Sequence, residues 1–358
     1  MNQVSPASNP EALQEYSREP GNEAAHLSLV PELGRLSGLE IHLIPHEKAF
    51  YNAAAWEGPA GTTYLLGRQV EAAAEPDKPD VGSLLLMTLD ADGEVLSTNE
   101  VWQPDDDSDS LEDVRVLPLS DGRLVAGLTR VLKEGEEYIP YPAFLVFPGA
   151  GLTPETFADP EIIKSLGAGA DTTPVDERFE AVSGKNATAI DEFTFMFRQD
   201  GDDHRLTVFE TDGETATKLQ YIDFPEDIPW ARFRVGTTIP PLWLNESQAI
   251  MPIHGITMEG DTYVYSIGSA RLLRDETGRL SIDNISQDPL IDPDMFAGMF
   301  DGDDIELHAD RRVVYSCGGI PVFDEAGELE KLKLYVNVGD TRTVEVTLPA
   351  AKLMENWQ

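Results

Sequence analysis

The stretch Leu111-Glu112-Asp113-Val114-Arg115 brings two carboxylates and a guanidinium together. It follows an acidic run from Pro104 to Ser110. It precedes Val116-Leu117-Pro118-Leu119, the turn Ser120-Asp121-Gly122 and a return strand from Arg123 to Leu128. Asp113 therefore belongs at the start of a strand. Residues i and i+2 of a strand share a face, so Asp113 and Arg115 are expected to point the same way. That leaves two readings, an ordinary ion pair or an acid held beside a cation in a site. A carboxylic acid so placed can deliver a proton to a leaving group, provided the cation does not hold it ionised.

Cations are scarce in this chain: 26 Lys and Arg stand against 65 Asp and Glu, a net charge of −39 over 358 residues. Against that background the positions of a few of them matter. Lys185 follows the turn Ser183-Gly184, and Arg198 ends the apolar run Phe193 to Phe197, where a charge is out of place unless it faces a polar funnel. Arg234 and His254 complete a basic set. Taken singly, each cation also reads as a strand-end salt bridge, and His254 as a neutral core histidine bonded to backbone.

The charge excludes some partners. Nucleic acid and anionic membrane both demand a basic footprint, so neither is expected. Self-repulsion of this size suits a protein kept soluble by charge. Much of the acid sits in turns, as in Asp90-Ala91-Asp92-Gly93-Glu94 and Asp301-Gly302-Asp303-Asp304, which read as solvated hairpin acid rather than metal sites. Cys317 is the single cysteine, so no intrachain disulfide forms. With no charged-then-apolar leader and no apolar run of about 18 residues, the expected location is cytoplasmic.

Residues 1–30 are polar and read as a tail, with one weak helical patch at Glu11–Tyr16. From about residue 31 the texture changes to short apolar runs broken by Gly, Asp and Pro. Examples are Ser83 to Leu89, Leu206 to Phe209, Thr262 to Tyr265 and Leu332 to Val336. Helical periodicity is confined to Pro160–Leu166 and Ala350–Asn356, the latter a closing segment. The chain reads as all-β, with one domain over 31–350 and a C-terminal tail over 351–358. A polar residue heads an apolar hairpin at Asn52, Asp113, Lys185, His254 and Asp340, with separations of 61, 72, 69 and 86 residues. Five heads at four-strand spacing predict a five-bladed β-propeller, in which inner-strand heads meet in one central funnel.

Several segments carry a resemblance. Phe50-Tyr51-Asn52-Ala53-Ala54-Ala55, Tyr64-Leu65-Leu66-Gly67-Arg68 and Glu112-Asp113-Val114-Arg115 come first. Arg234 to Pro241, Ile253-His254-Gly255, Ser316-Cys317-Gly318-Gly319 and Asn337-Val338-Gly339-Asp340-Thr341 follow in the same order. This ordered set, spanning roughly residues 40 to 345, resembles the family 130 glycoside hydrolases and phosphorylases. That family consists of five-bladed propellers acting on β-mannosides, chiefly by inverting phosphorolysis. The chain departs from it at Val114, where the family usually has Pro, and at Asn186, where it usually has Asp after a basic residue.

Inverting glycoside cleavage needs an acid for the leaving oxygen and a nucleophile on the opposite face of the sugar. The resemblance implies Asp113 as that acid, with its proton relayed through a sugar hydroxyl. It implies Lys185, Arg198, Arg234 and His254 as phosphate contacts, and Asn52, Arg68 and Asp340 as contacts to the mannosyl unit. Arg115 and the strand aromatic Tyr263 or its neighbour Tyr265 are further candidates at the sugar, though Asp340 also suits a turn and strand aromatics commonly pack blades. The partners implied are a small oligosaccharide and inorganic phosphate as co-substrate, with no metal or other cofactor; association into a homo-oligomer is left open. An inverting hydrolase, with Glu192, Glu246 or Glu259 as base, and a non-catalytic glycan-binding propeller are the alternatives.

Overall fold

The short apolar runs pair with their neighbours as antiparallel hairpins. The computed structural model describes residues 39–44, 46, 48–70, 82–104, 108–148, 152, 154–157, 161–162, 183–199, 201, 204–211, 216–225, 227–297, 312–355 and 357. Twenty-one strands fall there into five sheets, a five-bladed β-propeller. Strand β1 (Glu40–Leu43) comes first. Blade one is β2 (Ala49–Glu57), β3 (Thr63–Val70), β4 (Ser83–Leu89) and β5 (Val95–Trp102). Blade two is β6 (Asp109–Pro118), β7 (Arg123–Glu134), β8 (Glu137–Pro148) and β9 (Glu161–Ile162). Blade three is β10 (Gly184–Ala189), β11 (Thr194–Gln199), β12 (Arg205–Thr211) and β13 (Ala216–Asp223).

Blade four has a divided inner strand, β14 (Arg234–Thr237) and β15 (Leu242–Trp243), both pairing β16 (Gln248–Glu259), followed by β17 (Thr262–Arg274) and β18 (Leu280–Ile285). Pro240 and Pro241 occupy the break, where a residue without an N–H cannot continue the ladder. Blade five is β19 (Val314–Phe323), β20 (Leu329–Val338) and β21 (Arg342–Pro349), with β1 added at its outer edge. The beginning of the described chain thus closes the ring against the end, with β1 covering the edge that β21 would otherwise present.

Five hydrophobic clusters fill the five junctions between blades. Phe144 of blade two meets Phe195, Phe197 and Phe209 of blade three, for example, and Phe50 and Leu65 of blade one meet Ile320 and Tyr335 of blade five. The hairpin turns at one end share a device. Asp90, Asp275 and Asp324 each accept backbone N–H groups two and four residues on, and the glycine three residues on takes positive φ. These acids complete turns rather than merely facing solvent.

Some expectations shift. Within Pro160–Leu166, expected as helix, Glu161–Ile162 is strand β9 against β8, because an outer-edge position offers a ladder to join. The rest of that stretch, Glu11–Tyr16, Asp105 to Asp107 and Asp301 to Asp304 lie outside the described residues. Ala350–Leu353 forms a helical turn whose Leu353 is buried in the blade-five cluster. Among the described residues no helix is long and apolar enough to cross a membrane.

Candidate active site

The inner strands β2, β6 and β10 are not regular at their heads. Each register shifts by a bulge, at Tyr51/Ala54, Glu112/Arg115 and Lys185/Thr188. In each bulge one residue adopts the left-handed conformation: Asn52 (φ 52°), Asp113 (φ 54°) and Asn186 (φ 64°). Asp340, in the turn between β20 and β21, does the same (φ 52°). Only short polar side chains tolerate this region readily among non-glycines. Of five such residues among those described, four belong to one end of the axis; the fifth, Ala60, lies in the β2–β3 turn. Strain gathered at one point, where blades converge, marks a site.

The bulge changes what Asp113 and Arg115 do. Simple strand alternation predicts one shared face, but the left-handed residue turns the Asp113 carboxylate away. Arg115 instead bonds the Asp113 backbone carbonyl, Nη1 to O 2.6 Å. Its side chain is fully buried and crosses the axis. Nε donates to the Thr238 carbonyl (3.0 Å), and Nη2 to the Thr237 carbonyl (3.4 Å), to Asn186 Oδ1 (3.3 Å) and to the Tyr315 hydroxyl. Blades two, three, four and five are tied by this one guanidinium. Arg115 is therefore a brace beneath the site rather than the sugar contact expected from sequence.

The Asp113 carboxylate is held by neutral donors, Asn52 Nδ2 on Oδ1 (2.7 Å) and the Tyr315 hydroxyl 3.2 Å from Oδ2. Asn52 Oδ1 accepts from Asn337 Nδ2 (3.0 Å), which also reaches Asp340 Oδ1 (2.6 Å). Glu112 is the carboxylate that meets cations: Lys185 Nζ lies 3.2 Å from Oε2 and Arg68 Nη2 3.6 Å from Oε1. That attraction, aided by Asp113, holds Lys185 protonated above the ordinary lysine range against the opposing effect of burial.

His254 sits on β16, the second strand of blade four, and not at an inner-strand head as expected. It pairs with Gly236 in register and is 2 % exposed. Its Nδ1 is 3.2 Å from the Thr237 carbonyl, which can only accept, so Nδ1 carries the hydrogen. Nε2 then accepts from Asn186 Nδ2 at 3.4 Å. Burial first, then Arg115 and Arg198, push His254 well below the usual histidine range, which fits a neutral ring. With both nitrogens engaged, His254 orients Asn186 instead of presenting a free donor to an anion. Gly236 makes this fit possible: a Cβ there would overlap the His254 ring and the Asn186 amide.

The remaining basic residues gather at the same end. Arg198, 8 % exposed, lies opposite Lys185 in register, and Arg234 heads β14 with its guanidinium over the Phe233 ring. Burial and Asp340 raise the Tyr265 phenol, while Arg198, Lys185 and Arg234 oppose the shift, so Tyr265 shares one electrostatic neighbourhood with all four. Tyr263, the expected stacking residue, stands on the rim, 45 % exposed, against Phe233. Trp243 lies at the far end of the axis, stacked under Arg274. Of the three glutamates weighed as a hydrolytic base, Glu192 and Glu246 also sit in far-end turns, the former bound to Arg123 at 2.6 Å. Glu259 pairs with Arg312 on the rim.

Tyr315 has no assignment from the sequence, while Glu112 and Asn337 stand in its motifs without a role in the site and Asn186 stands there only as a departure. The available signal was an amide or acid inside an otherwise apolar run, as in Leu334-Tyr335-Val336-Asn337-Val338.

No family model and no curated protein matches the chain. Solved structures do. β-1,2-Mannobiose phosphorylase from Listeria innocua, in complex with β-1,2-mannobiose, aligns with a TM-score of 0.57 at 14% identity, covering 89% of this chain and 93% of that one. A glycosyl hydrolase from Bacteroides ovatus gives 0.57 at 14%, covering 84% of each. The endo-arabinase from Bacteroides thetaiotaomicron gives 0.50 at 11%, covering 86% and 95%. At these identities the likeness shows the five-bladed propeller fold, in agreement with the resemblance read from the motifs.

Proposed function

We propose that this chain is a carbohydrate-active enzyme that cleaves β-mannosides by inverting phosphorolysis, releasing α-mannose 1-phosphate. The observation that carries this reading is the composition of the axial pit. One carboxyl group, Asp113, is held by neutral donors beside a cluster of Lys185, Arg198 and Arg234 in a chain otherwise poor in cations. Phosphate arrives as an anion and needs cationic donors, not a general base. Long-range repulsion by the net charge is screened beyond about 8 Å at physiological salt, so these local donors decide.

In this mechanism Asp113 donates its proton toward the leaving oxygen by way of a sugar hydroxyl. Phosphate, held by Lys185, Arg198 and Arg234, attacks the anomeric carbon from the opposite face. Arg68, Asn52 and Asp340 contact the mannosyl hydroxyls, and Tyr265, rather than Tyr263, lines the pit. The reaction requires no metal or organic cofactor, and phosphate is a co-substrate.

One observation favours hydrolysis as a second reading. Lys185 and Arg68 already share Glu112, while Asp340, bonded to Asn337 Nδ2, brings a second carboxylate to the same end as a candidate base for water. Incubation with β-1,2- and β-1,4-mannobiose, with and without phosphate, separates the two. Sugar 1-phosphate formed only with phosphate supports phosphorolysis, free mannose in either condition supports hydrolysis, and no product from either substrate removes the proposal.

A further inference from the structure

The hydrogen of the Tyr315 hydroxyl has two addresses. The hydroxyl receives a bond from Arg115 and carries one hydrogen, yet two acceptors lie in reach, Asn186 Oδ1 at 2.8 Å and Asp113 Oδ2 at 3.2 Å. Asn186 cannot turn its amide to remove this choice, because its Nδ2 is committed to His254 Nε2. Nor does Asn186 need the Tyr315 hydrogen, since Arg115 Nη2 also donates to its Oδ1. Burial holds the phenol protonated well above its ordinary range, with Asp113 adding to the shift and Arg115 opposing it, so Tyr315 stays a donor through the working pH range.

We propose that Tyr315 is a positioning residue for Asp113, its O–H directed to Asn186 while the carboxyl is protonated and to Asp113 Oδ2 once that proton has left. This rests on the reading of Asp113 as the acid given above. The balance is simple. The proton on the Asp113 carboxyl passes toward the leaving oxygen, the phenolic hydrogen stays covalently on Tyr315, and only its direction changes. A donor engaged solely as negative charge develops lowers the barrier without tightening ground-state binding. The groups facing this pair are Arg115 on β6, Lys185 on β10, His254 on β16, Tyr265 on β17 and Cys317 on β19. His254 is held neutral, and burial raises the Cys317 thiol, so neither changes charge near neutrality.

The test follows the Asp113 carboxyl by 13C NMR titration, its resonance assigned by its loss in Asp113→Asn. In Tyr315→Phe the carboxylate loses a donor, the protonated form is favoured, and the titration midpoint moves up by about one pH unit, a tenfold change in the protonation equilibrium. Site-specific 3-fluorotyrosine at 315, a stronger donor of nearly the same size, moves it the opposite way and covers the case in which Tyr315→Phe does not fold. On the mannoside reaction, Tyr315→Phe lowers kcat about 10- to 100-fold with little change in KM, and the alkaline limb of the rate profile shifts to higher pH. Opposite shifts in the two variants support the proposal even if mannobiose proves not to be cleaved, in which case only the assigned reaction falls. An unmoved midpoint in the 3-fluorotyrosine protein, or in a folded Tyr315→Phe, overturns it.

Discussion

Arg115→Lys keeps the charge at the axis and removes the geometry. The guanidinium satisfies two backbone carbonyls, those of Asp113 and Thr238, and adds donors to Thr237, Asn186 and Tyr315. The Thr237 carbonyl retains His254 Nδ1 as a partner, and Asn186 Oδ1 retains the Tyr315 hydroxyl, so those two are not orphaned. An ammonium on a lysine stem reaches the Asp113 carbonyl or the Thr238 carbonyl, not both, because it is a single point rather than a fork. One buried carbonyl is then left without a donor, at about 1–3 kcal/mol, and the Tyr315 contact is weakened at about 1 kcal/mol more. The expected loss is about 3 kcal/mol in equilibrium urea unfolding. With an unfolding entropy near 2.1 cal/mol/K per residue over the roughly 250 described residues, that corresponds to a fall of roughly 6 °C in Tm. A loss below about 1 kcal/mol would mean that the arginine is not bracing four blades, and the picture of the pit floor would be wrong.

Three other outcomes follow from the same geometry. Because His254 is neutral when folded and its range is depressed, the unfolded state takes up a proton below about pH 6.5 that the native state refuses, costing about 1.4 kcal/mol per pH unit between pH 6.5 and 5; His254→Gln should flatten that part of the stability curve, and an unchanged slope would place the proton elsewhere. Gly236→Ala should lower kcat more than about tenfold with a smaller loss of stability, since a Cβ displaces His254 and Asn186, and wild-type turnover would show that their contact is dispensable. The net charge of −39 predicts that Tm rises as salt goes from 0.1 to 1 M, where the screening length falls from about 10 to about 3 Å, and a flat or falling Tm would show that self-repulsion is not limiting.

The propeller was legible because its determinants are local. Short apolar runs, Asp-Gly turns and proline breaks report hairpins wherever they occur. The repeat was legible only in part. Asn52, Asp113 and Lys185 do stand at inner-strand heads, whereas His254 lies one strand further out and Asp340 in a turn. Both were found because polar residues converge on the pit from second strands and turns as well as from inner strands. The relation between Asp113 and Arg115 was not legible, since a bulge breaks the two-residue alternation on which facing arguments depend. Asn at 186 and Asn at 52 carry the trace of those bulges, as residues that accept left-handed backbone. The partnership of Tyr315 with Asp113 spans 202 residues and leaves no local mark at either end.

The central claim is that Asp113 at the head of β6 is the proton donor of the pit. Asparagine suits a left-handed position as well as aspartate does and can still meet Asn52, so Asp113→Asn should fold with wild-type stability. Turnover of whichever mannobiose the wild-type protein cleaves, followed by 31P and 1H NMR for α-mannose 1-phosphate, is then predicted to fall at least about a thousandfold. A folded Asp113→Asn protein turning over that substrate at near the wild-type rate would contradict the account.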